Sequence, residues 1–319
     1  MTATLRHTAL LPATPPYRLS SSLRALSGFP PCVGDQCLLG TSVRKAFLIP
    51  GAGSAAVVEV GPRPDREPGV SLSVYTDRVL SVGETTGVER AVERWLGLSD
   101  DLRPFLRIAR DDPAMGPLLA RAEGLHQVRF ASLAEGASYF LLTLRTSQPV
   151  AAGRKRRIAA DLGQRVSLDG EEHIAFPALA TLVETEPGVL ARYAGGQQRA
   201  GRLVGALHGL AALIAGRGEE WLYRAPYQQV RDALLEIHGI GPFTAYAILL
   251  RVLGRPDGVP LEIVQFADVV ARVYGPGTPV DTVRERYGQS VGWWSYLATT
   301  ALAWSGVPTS HSTARRRVA

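Results

Sequence analysis

Near residue 85 the apolar residues of this chain change their spacing, and that change limits the possible folds more than any other feature. Before it, AFLIPG, AAVVEVG and VSLSVYTDRVL are short β-rich runs, punctuated by Pro50–Gly51–Ala52–Gly53 and Gly61–Pro62–Arg63–Pro64. Such runs between glycine and proline clusters predict antiparallel hairpins over 17–81. After it, Val88, Val92, Trp95 and Leu96 stand at helical spacing, and amphipathic stretches with short connections continue to about residue 304. The reading is an α+β chain. Residues 1–16 are a loose tail and 17–85 a small antiparallel β-rich domain. Residues 86–307 form a mainly α-helical two-lobe domain, and 308–319 a basic tail.

Composition narrows the function classes. The 319 residues leave room for two or three domains of roughly 100–150 residues. With 46% hydrophobic and 20% charged residues the chain has material for a core, which excludes wholesale disorder. Its apolar runs stay short of the roughly 18 residues of a membrane span, and MTATLRHTALLPATPPYRL is a poor secretory signal. The net charge is +6, and of 35 basic residues only Lys45 and Lys155 are lysine. So much arginine reads either as compositional bias or as a surface for an anionic partner, since guanidinium forks match phosphates. Cys32 and Cys37 are too few for a structural zinc site or a four-cysteine cluster, and a reducing compartment follows as the default.

Residues 226–253, PYQQVRDALLEIHGIGPFTAYAILLRVL, carry the most information. Val230, Leu234, Leu235 and Ile237 make one apolar stripe; Ala245, Ile248, Leu249 and Val252 make another. Between them Gly239 and Gly241 bracket Ile240, and Pro242 suits the first turn of the second helix, where its missing N–H is not needed. A helix–Gly-Ile-Gly–helix unit presents main-chain amides at a helix N-terminus with no side chain in the way, an arrangement suited to a phosphate. On G-x-G alone, an ordinary helical hairpin whose glycines only permit the turn is the better account.

The longer string L-x-x-I-x-G-I-G-x-x-T-A, from Leu234 to Ala245, resembles the helix-hairpin-helix DNA glycosylase superfamily, with the motif over 228–253. The likeness extends to FASLAEGASYFLLTLRTSQPVAAGRKRRIAADLG, to FPALATLVETEPGVLARYAGGQQRAGRLVGALHGLAALIAG and to GWWSYLATTALAW. The β-rich region opening PYRLSSSLRAL looks like the N-terminal sheet of the 3-methyladenine DNA glycosylase II branch. The resemblance implies a monofunctional glycosylase that removes alkylated bases from duplex DNA by hydrolysis. Bifunctional members carry a Schiff-base lysine at the fifth position counted from the first hairpin glycine; here that position is Phe243. Phe243 then either stacks on an extruded base or packs in the core.

The family's catalytic Asp falls at position 262, two residues after Pro260, and here it is Glu262. A carboxylate beneath the sugar stabilises the oxocarbenium-like charge that develops as the glycosidic bond breaks. Glutamate reaches one methylene further than aspartate, and misplacement by about 1 Å can cost roughly a hundredfold. Three readings stay open: Glu262 serves, Asp268 serves in its place, or the protein binds DNA and recognises damage with its chemistry impaired. In LLTLRTSQPVA, Arg145 stands where the branch wedges a residue into the duplex; it fills the gap of the flipped base or is a plain helix-end arginine.

The remaining expectations follow the resemblance. His238, Gly239, Ile240, Gly241, Phe243, Thr244 and Arg145 contact DNA, with Phe243 and Trp293 at the base pocket. Trp293 and Trp294 otherwise wedge helices together. Arg154–Arg157 read as a solvated basic run that also suits phosphate contacts. The six histidines show no metal-ligand spacing, so no metal or cofactor is expected beyond a monovalent cation on the hairpin carbonyls. The expected partner is duplex DNA with damaged bases, for a monomer in the cytoplasm at the nucleoid, away from membranes.

Overall fold

A five-stranded antiparallel sheet opens the chain, in the order β1-β5-β4-β3-β2. Its strands are β1 (Thr4–Pro12), β2 (Gln36–Leu39), β3 (Ser42–Leu48), β4 (Ala55–Gly61) and β5 (Gly69–Thr76). The structure is a computed structural model that describes residues 2–260 and 264–306. The register pairs Phe47 with Ala56 and Val58 with Val74. Alternation then puts Val43, Val58, Val60, Val70, Leu72 and Val74 into one core.

Two segments differ from the sequence reading. Within the expected loose tail of 1–16, residues 4–12 are strand: β1 pairs with β5 along most of its length, and His7 Nε2 lies 2.7 Å from Glu89 Oε1. As an edge strand β1 buries little, so its apolar alternation is weak. Residues 19–27 are helix α1 (Leu19–Ser27) rather than strand, because Leu19, Leu23 and Leu26 recur at helical spacing and the last two are buried.

The helical part begins with α2 (Val82–Leu96), whose start is closed by a capping box between Ser81 and Glu84. It continues through α3 (Arg103–Arg110), α4 (Gly116–Arg121), α5 (Leu133–Leu142) and α6 (Gln148–Leu162). Then come α7 (Leu179–Glu184), α8 (Pro187–Ala194), α9 (Gln197–Arg217) and α10 (Glu219–Arg224). The last five are α11 (Tyr227–Leu235), α12 (Pro242–Arg251), α13 (Val264–Tyr274), α14 (Val280–Tyr287) and α15 (Val291–Ala303). None of the described helices is long and apolar enough to cross a membrane.

Two large cores result. One joins the sheet to α1–α4 and to α13–α15 around Trp95, Phe105, Tyr287 and Trp294. It runs without interruption across the boundary expected at residue 85. The other lies among α5–α12, around Leu141, Leu207, Leu234 and Leu249. Within the helical part a hairpin of β6 (Gln164–Leu168) and β7 (Glu171–Ala175) folds back on the sheet, with Leu168 against Val57 and Ala175 against Ala46. Its two-residue turn is Asp169–Gly170, both with positive φ (53° and 81°), a strong hairpin signal that the helical periodicity on either side obscured.

Both lysines are buried in a single polar cluster. Lys155, on the Ala151–Ala152–Ile158 face of α6, has its Nζ 2.6 Å from Glu135 Oε1 and also bonds Asp35. Lys45 of β3 approaches the same Glu135 oxygen at 3.5 Å. The run Arg154–Arg157 is therefore not one solvated face: Lys155 is 1% exposed, whereas Arg156 and Arg157 face solvent. Ligand atoms of Cys32, Asp35 and Glu135 lie within 4.8 Å of one another, and the Lys155 ammonium supplies the positive charge among them.

Candidate nucleic-acid interface

Helix α11 ends at Leu235, two residues before the last apolar residue of its stripe, and a β-turn follows, closed by the Ile240 N–H donating to the Ile237 carbonyl at 3.0 Å. Gly239 is the third residue of that turn, with φ +94°, where only glycine is unstrained. A Cβ there would also fall 2.7 Å from the Arg202 carbonyl oxygen of α9. Gly241 then takes the N-cap of α12 with extended backbone, and no side chain caps the helix. Pro242 has no N–H, so the amides left free at this helix start are those of Gly241, Phe243 and Thr244. Around Gly241 nothing lies within 4 Å of where a Cβ would stand.

Three helices carry a second exposed turn to the same end of the molecule. The Phe243 ring, in the first turn of α12, meets the Phe140 ring of α5 at 6.5 Å, nearly perpendicular. One turn beyond Phe140, α5 gives way to the bend that holds Arg145, exposed and at φ +51°. Helix α9 bridges the two: its Arg202 carbonyl backs Gly239, and its Arg199 Nη2 donates to the Arg145 carbonyl at 3.3 Å. Gly205 admits His238, whose Cδ2 would lie 3.4 Å from a Cβ there.

Positive charge is concentrated beside that bend. Arg154 Nη1 donates to the Ala194 carbonyl at 2.9 Å, packed against Gly195. Burial, then the neighbouring Arg199 and Arg157, lower the pKa of its guanidinium below the ordinary arginine value. Like charges held this close are costly unless an anion meets them. Arg199 is the residue that sequence reasoning missed; it lies in the quoted G-G-Q-Q-R-A string at the uncapped start of α9.

The other expected site residues divide. His238 and Gly241 are exposed, and Phe243 is half-buried. Ile240 is 4% exposed and packs in the second core, so its side chain anchors the turn rather than reaching outward. Thr244 is wholly buried with its hydroxyl unpaired among the described residues, which removes its side chain from DNA contact. Trp293 is 7% exposed and packs in the first core, so its ring holds helices together rather than facing a base pocket. Asp268 is half-buried in the second turn of α13. Glu262 lies outside the described residues.

No protein-family model matches this chain. Over 178 residues it is 25% identical to the DNA-3-methyladenine glycosylase of Bacillus subtilis, covering 55% of this chain and 57% of that protein. Over 168 residues it is 30% identical to the probable bifunctional transcriptional activator/DNA repair enzyme AlkA of Mycobacterium tuberculosis, covering 52% of this chain and 32% of that protein. The matches thus span about half the length of the first relative and a third of the second. Among solved structures, the 3-methyladenine DNA-glycosylase from Archaeoglobus fulgidus superposes with a TM-score of 0.72 at 20% identity, over 93% of this chain and 99% of that one. The fold is that of this solved DNA glycosylase. Within this glycosylase fold, the likeness of sequence is to the 3-methyladenine branch.

Proposed function

We propose that this protein is a monofunctional DNA glycosylase that binds duplex DNA and hydrolyses the N-glycosidic bond of alkylated bases. The observation that carries the reading is the pairing of an uncapped, unobstructed helix N-terminus at Gly241 with the exposed Arg145 turn, joined through Arg199 and Arg202 of α9. The amides of α12 take a phosphate of the damaged strand, and Arg154 and Arg199 take phosphates beside the bend. Arg145 enters the space left by the extruded nucleoside.

The chemistry falls to a carboxylate. As the bond from C1′ to the base nitrogen breaks, electrons leave with the base and positive charge gathers on the sugar. Glu262 stabilises that charge, a water forms the new C1′–O bond, and its proton passes to the carboxylate and on to solvent. An alkylated purine that is already cationic leaves with little acid catalysis. Phe243 offers no amine where a lyase places its lysine, so the abasic site is left uncleaved. The carbonyls of His238 and Ile240, which face no backbone donor among the described residues, suit a monovalent cation. We place the protein as a monomer at the nucleoid.

Glutamate in place of the expected aspartate favours a second reading, in which the fold grips damaged DNA without excising the base. Single-turnover assays on duplexes carrying alkylated purines separate the two. Release of free base that vanishes in Glu262→Gln with DNA affinity retained supports the enzyme. Unchanged release in that variant transfers the role to Asp268, and tight binding without release leaves the recognition role. Borohydride trapping during turnover should yield no covalent adduct; an adduct would refute the monofunctional assignment.

A further inference from the structure

We propose that Cys32 and Lys155 are the site of an oxidative crosslink, in which one oxygen atom of dioxygen joins the thiol sulfur to the side-chain nitrogen as an S–O–N bridge. The inference starts from where the lysines stand. Of 35 basic residues only Lys45 and Lys155 are lysine, and both lie in one buried cluster, at 5% and 1% exposure. Every other basic residue is arginine, which pairs with carboxylates at least as well. What lysine adds is an amine that can give up a proton and form a covalent bond.

A buried cysteine lies against that amine. Cys32 is 1% exposed and closes the short turn Pro30–Cys32 after α1. Lys155 Nζ donates to its sulfur at 3.9 Å, and the thiol donates to Glu135 Oε1 at 3.8 Å. Glu135 Oε1 also accepts from Lys155 at 2.6 Å, so one carboxylate oxygen holds the sulfur and the nitrogen face to face. Burial, first of all, pushes the Cys32 thiol up to about 12. That closes it to disulfide exchange, which needs an accessible thiolate. Dioxygen is small and uncharged, and it reaches such a site through the brief openings that side-chain motion provides.

The separation selects the product. A direct S–N bond would require the two atoms to close the whole gap from 3.9 Å, whereas an inserted oxygen leaves a much smaller movement. In the reaction the thiol loses its hydrogen and the ammonium loses two, and the sulfur and nitrogen are oxidised as dioxygen is reduced. One oxygen atom forms the S–O and O–N bonds, and the other leaves as water with two of the hydrogens. The third leaves as a proton through Asp35, which bonds Lys155 and is the least buried member of the cluster. The bridge ties the turn after α1 to α6, the helix that carries Arg154, across 123 residues of sequence.

The test is the intact mass of the full chain, purified under reductant and then held in oxygen-saturated buffer. The mass should rise by about 14 Da, one oxygen gained and two hydrogens lost, and dithiothreitol should reverse the gain. Proteolytic mapping should recover one peptide pair joining Cys32 to Lys155. Cys32→Ser and Lys155→Arg should abolish the gain, while Cys37→Ser and Lys45→Arg should keep it. A gain of about 16 Da that persists in Lys155→Arg would mean a sulfenic acid alone, and a loss of about 2 Da a direct S–N bond or a disulfide. Either result, or an unchanged mass, overturns the inference. The mapped peptide pair decides the matter in the wild-type protein even where Lys155→Arg fails to fold. Since covalent mass is read and not base release, each of these outcomes leaves the glycosylase reading standing.

Discussion

The Arg199 guanidinium donates to the backbone carbonyl of Arg145 at 3.3 Å, so a residue of α9 holds the tip of the bend after α5. The bond ties the cations Arg154 and Arg199 to a main chain at φ +51°, a conformation that arginine adopts only under constraint. Arg199→Ala removes one phosphate contact and the brace together. Anisotropy titrations from about 50 to about 200 mM salt should show weaker binding and a salt slope shallower by about 1. Affinity lost with an unaltered slope would mean that Arg199 acts only as the brace.

The two hairpin glycines should respond differently to the same added methyl. Gly239→Ala meets both a positive φ and the Arg202 carbonyl, and should destabilise the protein by about 1–3 kcal/mol in urea titrations. Gly241→Ala has open space and an ordinary φ, so stability should hold. Its methyl stands where a phosphate would approach, and duplex affinity should fall. Retained affinity in Gly241→Ala would remove the α12 N-terminus from the interface.

Asp112 fastens the C-terminal helices. Its Oδ2 accepts from Tyr274 at 2.7 Å and Tyr287 at 2.8 Å, with Arg286 also at 2.8 Å, and the residue is 2% exposed. Burial pushes this carboxyl up, but these donors more than reverse it, and its pKa lies below the ordinary value. Its contribution is therefore present above the ordinary carboxylate range and is lost as pH falls. Asp112→Asn should cost about 1.5–3 kcal/mol. Arg286→Ala, half-exposed, should cost less than about 1 kcal/mol. Equal costs would place the strength in the ion pair rather than in the two phenols.

Residues whose roles depend on their neighbours in sequence were legible, and those that depend on distant partners were not. Gly239, Gly241 and Pro242 could be read because turn and cap chemistry is local. Strands β3, β4 and β5 announced themselves as β-rich runs between glycine and proline clusters, but β1 did not, since an edge strand buries only every other residue and only partly. Lys155 looked like one of four surface cations; only Glu135 and Asp35, brought from 20 and 120 residues away, make it a core residue. Thr244 and Trp293 lay on helices with apolar residues on several faces, where periodicity cannot say which face is covered. Asp169–Gly170 was a readable turn set among helical signals.

The pair Glu135–Lys155 gives the sharpest test of the buried cluster. Burial alone would raise the Glu135 carboxyl, yet the ammoniums of Lys155 and Lys45 hold it down at about 2 against an ordinary 4.5. Burial would likewise lower Lys155, but Glu135 and its other anionic neighbours raise it above the ordinary 10.5. A depressed acid stabilises the fold above its unfolded value and loses that contribution as pH falls through the folded one. A raised base does so below its unfolded value and loses it as pH rises. The pair should therefore act at full strength between about pH 5 and about pH 10. Glu135→Gln should cost about 3–5 kcal/mol across that window, because it leaves the buried ammoniums of Lys45 and Lys155 with only the Asp35 carboxylate in the described cluster. Below about pH 4.5 the gap from wild type should close steadily. Urea unfolding at a series of pH values reads it directly: a gap that stays constant down to about pH 3 would assign the acid sensitivity to some other carboxylate.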